Sequence, residues 1–153
     1  ALIMAIMLWI SADLGLPSIA QLPGVEFVPR AEIAERRLSR ITAVRPDRTA
    51  ADRRRSTLFG ASHDVHAFYD DGTKTIVLPE DWMTESPVDV SILVHELVHH
   101  MQNLGGIKYE CAAAREKLAY RAQSRWLELF GKTLEREFEI DPMTVLVRTN
   151  CMF

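Results

Sequence analysis

Apolar and polar positions divide this chain into blocks of differing period. The first ten residues, ALIMAIMLWI, are all apolar, and the run continues as a helix over 2–14 that Gly15 and Pro17 stop. GVEFVPR (24–30) alternates and predicts a strand that Pro29 ends or places at a sheet edge. AEIAERRLSRI (31–41) carries Ile33, Arg37 and Ile41 at turn spacing, an amphipathic helix. Residues 42–62 are polar and Arg-rich, a mobile loop. The clearest β signal is VHAFYDDGTKTIVLP (65–79), where two apolar runs flank the turn residues Asp70-Asp71-Gly72. A loop covers 80–90. One helix then runs from about 88 to 103 and stops at Gly105-Gly106, and a second runs from about 110 to 130. Gly131 interrupts it, and a last apolar segment, MTVLV (143–147), follows Pro142. Helices around a small hairpin or sheet make this an α+β chain, and residues 1–153 read as a single domain.

Composition narrows the function classes. A length of 153 residues, 48% hydrophobic and 25% charged, supports a folded core. A net charge of −3 gives no reason to expect a nucleic-acid or anionic-membrane partner. The short cluster Arg53-Arg54-Arg55 is offset by Asp47 and Asp52 and reads as a solvated loop. Ten apolar residues are too few for a membrane span, which needs about 20. The N-terminal run is therefore either the tail of a signal-peptide core or a buried first helix. Trp9 and Asp13 favour the helix. With no initiator Met and no basic leader, the sequence reads as a mature form or a fragment. Cys111 and Cys151 are too few for a disulfide scaffold, and neither has a CxxC partner for zinc. They are either one bridge, expected if the protein is exported to the periplasm or secreted, or two buried thiols.

The stretch ILVHELVHHMQ (92–102) sets three histidines and a glutamate inside an apolar run. On a helix, His95 and His99 fall on one face about 6 Å apart along the axis, so both imidazoles can converge on one tetrahedral Zn²⁺. Glu96 points roughly 100° away, within reach of a metal-activated water without ligating the metal. This is the H-E-x-x-H arrangement, His95-Glu96-Leu97-Val98-His99. Burying these groups unpaired would cost several kcal/mol.

VSILVHELVHHMQ resembles the active-site helix of the zincin metalloproteases, a likeness that covers about a third of the chain. The metzincin pattern would need Gly at position 102 and His at 105. Gln102 and Gly105 stand there instead, so the resemblance is to the gluzincins, whose third ligand is a Glu on the next helix. Glu110 and Glu116 are the candidates. At 100° per residue, Glu116 shares a face with Ala112, Ala119, Tyr120, Gln123, Leu127 and Phe130, the apolar inward side. Glu110 falls beside Lys117, Arg121 and Glu128, in a first turn where the helix dipole already favours a carboxylate. Glu116 is thus the expected ligand. Its context REKLAY (115–120) also resembles that ligand's segment, although residues 100–115 form a shorter insert than gluzincins generally have.

The resemblance implies a minimal zincin-like fold and a zinc-dependent hydrolase acting on a peptide or protein substrate, with Glu96 as general base. It is also to small uncharacterised bacterial domains. Tyr120, one turn beyond Glu116, is either a second electrophile for an oxyanion or an ordinary core tyrosine. His100 reads as an outer donor or a surface residue. His63 and His66 are remote in sequence. Gln102 and Gln123 can hydrogen-bond to ligands. KTIVLP (74–79) is expected to form a sheet edge that an extended peptide could join. Two rival readings stand beside the peptidase: a zinc-holding module without turnover, and a helical scaffold with structural histidines.

Overall fold

The structure is a computed structural model and describes residues 1–44 and 66–151. The N-terminal run forms helix α1, Leu2–Leu14, closed by Gly15 at φ 71°. Ile6, Met7 and Ile10 enter the core, as the buried-helix reading expects. Strand β1 is Gly24–Val28, ending before Pro29. Helix α2 is Arg30–Val44, so residues 42–44 are helical rather than loop. The remainder of the expected loop, 45–62, lies outside the described residues, as do His63 and the Arg53–Arg55 cluster.

Strands β2, Phe68–Asp70, and β3, Thr75–Pro79, form the expected hairpin. Asp70 makes the turn by accepting from the amides of Gly72 (2.9 Å) and Thr73 (3.1 Å). The strand order is β1-β3-β2, with β1 parallel and β2 antiparallel to β3. This corrects the reading of KTIVLP as an edge. β1 pairs with β3 from Gly24↔Thr75 to Val28↔Pro79, so β3 is central, with its main-chain groups engaged on both sides. Alternation marks a strand but does not name its partner. The sheet's two faces then separate by the period of two. Tyr69, Ile76 and Leu78 join the main core, while Val28, Phe68 and Val77 pack with Ile33 of α2.

Helix α3, Pro87–Leu104, starts with Ser86 accepting from the Asp89 amide and with Pro87 in its first turn. Leu93, Val94, Leu97, Val98 and Met101 are buried along it. It ends where side chains cannot follow. A Cβ on Gly105 would stand 2.9 Å from the Met101 carbonyl oxygen, and Gly106 sits at φ 65°. The chain reverses there and helix α4, Ala112–Glu128, packs along α3. Its cap is Cys111, so Glu110 lies before the helix and not in its first turn. The helix also stops short of Phe130, which is 47% exposed rather than inward. The short helix α5, Leu134–Phe138, was not legible from the pattern. MTVLV belongs to helix α6, Pro142–Thr149, capped by Asp141. There Met143, Leu146 and Val147 face outward.

Cys111 and Cys151 form a disulfide that joins the start of α4 to the end of α6 across 40 residues of sequence. A closed loop of that length restricts the unfolded chain by about 4 kcal/mol. Replacing both cysteines with serine is therefore expected to lower unfolding free energy by about that amount in non-reducing urea titrations. A loss below roughly 1 kcal/mol would show that the bridge adds little to a loop of this length.

Candidate metal centre

Residues four apart on α3 present both imidazoles to α4. The rings of His95 and His99 have centroids 5.1 Å apart at 75°. Glu116 of α4 meets both. Its Oε2 lies 2.9 Å from His95 Nε2, and its Oε1 lies 3.2 Å from His99 Nε2. Ligand atoms of these three residues all fall within 4.8 Å of one another, a group able to hold a metal ion. Glu110 is exposed and outside this group.

The opposite nitrogens are tied off. His95 Nδ1 is 3.0 Å from Gln123 Oε1, and His99 Nδ1 is 3.0 Å from Gln102 Oε1. Each amide is oriented by its other end. Gln102 Nε2 donates to the Arg115 carbonyl (3.1 Å) and the Tyr109 hydroxyl (2.9 Å). Gln123 Nε2 donates to Ser91 Oγ, whose own proton goes to the Val88 carbonyl. Both Gln oxygens therefore face the rings as acceptors, and both Nδ1 atoms donate. In the neutral imidazoles the Nε2 lone pairs are left pointing at the shared centre, the orientation a metal ligand needs.

Glu96 is only 8% exposed. It makes no hydrogen bond or ion pair among the described residues. Tyr120 sets its ring edge against His95, with centroids 4.8 Å apart, and its hydroxyl accepts from Arg148 Nη1 at 3.1 Å. His100 departs from expectation. It is fully buried, accepts at Nδ1 from the Tyr69 hydroxyl (2.9 Å) and donates from Nε2 to the Gln21 carbonyl (2.8 Å). It therefore anchors α3 to the sheet and to the segment before β1, and is neither a surface residue nor a donor to His95, His99 or Glu116. His66 packs its ring on Phe138 and stays out of the cluster.

Two arginines escaped the sequence reading. Arg115 forms a double ion pair with Asp71 in the hairpin turn (2.8 and 2.6 Å) and donates to the His99 carbonyl (3.0 Å). Its place beside Glu116 was the one available hint. Arg148 had no local signal, because only the folded chain brings α6 to Tyr120.

The whole chain, residues 1–153, matches the family described as a domain of unknown function (DUF6647). The chain belongs to that family. No match was found among curated proteins or among solved structures.

Charge within this DUF6647 site is coupled. Burial pushes the Glu116 carboxyl up, but the protonated forms of His95 and His99, whose Nε2 atoms then donate to it, outweigh burial and hold the group far below the usual carboxylate range. Burial pushes His99 down, but Glu116, with a smaller contribution from Glu96, outweighs it and leaves His99 raised above 6.5. A raised His stabilises the fold fully below its unfolded value and stops doing so as pH climbs through its folded value. A lowered Glu stabilises above its unfolded value, near 4.5. For metal-free protein, the stability advantage of wild type over Glu116→Gln is thus expected to be larger at pH 5.5 than at pH 8.5. An advantage that grows towards pH 8.5 in parallel denaturant titrations would contradict the pairing.

Ligand assignment has its own test. Glu116→Gln should weaken metal affinity by more than the roughly 10- to 100-fold typical of losing an outer hydrogen bond, and Glu110→Gln should leave it unchanged. Competition with a chromophoric chelator measures both, and the reverse order would reject Glu116.

Proposed function

We propose that this chain is a zinc-dependent hydrolase, a gluzincin-like peptidase in which His95, His99 and Glu116 hold the metal and Glu96 is the general base. One observation carries the reading. Two imidazole Nε2 atoms and a carboxylate converge on one point while both Nδ1 atoms are committed to oriented amide oxygens. Two nitrogens and one carboxylate oxygen are a donor set typical of catalytic zinc, which keeps a fourth position open.

Bound zinc supplies Lewis acidity, which acidifies water and polarises a carbonyl. The chain's own groups supply the rest. Glu96, nearly buried and with no hydrogen bond or ion pair among the described residues, is suited to accept a proton from water and hand it to a leaving amine. Tyr120, beside His95, offers a donor for developing oxyanion charge. Gln102 and Gln123 keep the imidazoles aimed. The Cys111–Cys151 bridge suits an oxidising compartment, so export belongs to the proposal. No helix among the described residues is long and apolar enough to cross a membrane.

The central position of β3 favours a second reading, a zinc-holding module without turnover, because the strand expected to receive a peptide is already paired on both sides. Glu96→Gln separates the two. The variant is expected to keep stoichiometric zinc and lose about 10²- to 10⁴-fold in turnover on a mixed peptide library read by mass spectrometry. Equal peptide profiles for wild type and variant would leave the module reading.

A further inference from the structure

We infer that Arg148 is the positioning residue for Tyr120, that the Cys111–Cys151 bridge keeps it seated, and that the two side chains form the oxyanion-binding side of the metal centre. The inference rests on the metal-site reading and adds a residue and a covalent tether to it.

The directions of the hydrogen bonds carry the argument. A guanidinium has no acceptor, so in the 3.1 Å bond from Arg148 Nη1 the Tyr120 oxygen must accept. A phenol has one proton, and that proton is left to point away from Arg148. The ring is fixed from the other side by its edge-on contact with His95, at 4.8 Å and 78°. Its ring is therefore held against His95 while its oxygen is polarised by a cation. Such donation in series strengthens the outgoing O–H as a donor. A preorganised donor beside the reacting atoms is what an oxyanion requires. Arg148 acts through the Tyr120 hydroxyl that it holds.

The tether follows from where the cysteines stand. Cys151 lies just past α6, which ends at Thr149, and Cys111 caps α4, the helix that carries Glu116 and Tyr120. α6 is only eight residues long and exposes Met143, Leu146 and Val147, so its hold on α4 rests on a few groups such as Val145 and Thr149, and the bridge adds to it. The bridge fixes the end of α6 from which Arg148 reaches Tyr120.

The test uses the full chain loaded with cobalt in place of zinc, with acetohydroxamate as the anionic probe and the visible cobalt bands as the readout. Tyr120→Phe and Arg148→Ala are each expected to weaken the probe by about tenfold, below the 10²- to 10³-fold that a lost donor costs in a transition state. The double variant should bind no worse than Tyr120→Phe alone. Arg148→Lys, which keeps a cationic donor, should recover most of the affinity, and cobalt content should stay constant throughout. Cys111→Ser with Cys151→Ser should reproduce the Arg148→Ala loss. Wild-type probe affinity in Arg148→Ala, or losses that multiply in the double variant, would overturn the positioning role. Wild-type affinity in the serine pair would overturn the tether. Cobalt loading and probe binding without any peptide turnover would reject the peptidase while leaving this cycle readable. Failure of the wild-type chain to take up cobalt would overturn both.

Discussion

An inward carboxylate facing two imidazoles across the α3–α4 interface is the constraint on which the rest of this molecule depends. Glu116 stands on the face of α4 that packs against α3, where a partly buried carboxylate is unfavourable without a partner. His95 and His99 remove that cost only if the two helices run alongside in one register. The Gly105-Gly106 reversal makes this possible in a short connection. A side chain at position 105 would collide with the last turn of α3, and position 106 needs the left-handed backbone. The apolar length of α3 then holds its polar face in place. Leu97 and Met101 are wholly buried on the side away from the cluster.

Arg115 turns this pairing into a frame. It sits next to Glu116 and reaches three places: the hairpin turn at Asp71, the His99 carbonyl and Gln102 Oε1. Gln102 in turn holds His99, and its amide is oriented by the Arg115 carbonyl. One residue of α4 therefore fixes His99 of α3 through both main chain and side chain, and ties both helices to the sheet. The exposed half of the Asp71 pair adds little energy by itself. Its contribution is orientation. Small angular errors at either imidazole would spoil convergence of the Nε2 atoms, so restraint matters here more than strength.

What the sequence made legible was local. His95 and His99 are read from a four-residue spacing, and Glu116 from the periodicity of its own helix, because both depend only on helical geometry. The same reasoning located α1, the hairpin and the ends of α3. It failed where partners are distant in sequence. KTIVLP carried a strand signal but no sign that Gly24–Val28 would pair along its second edge. His100 looked like a spare polar group beside His99, yet Tyr69 and the Gln21 carbonyl satisfy both of its nitrogens. Glu110 and Phe130 were misplaced because a helix was drawn past Cys111 and Glu128, and end residues are the least determined by period alone.

The short insert between His99 and Glu116 also explains why α6 matters. A tight reversal brings Glu116 to the histidines but leaves no chain in that insert to build a further wall. In this molecule the side of His95 away from α3 is covered from farther along the chain. Tyr120 leans on His95, Arg148 of α6 grips the Tyr120 hydroxyl, and the disulfide returns the end of α6 to the start of α4. The bridge thus closes a ring through α4 and α6. That ring carries Glu116, Tyr120 and Arg148, so the covalent link and the candidate centre constrain the same few side chains.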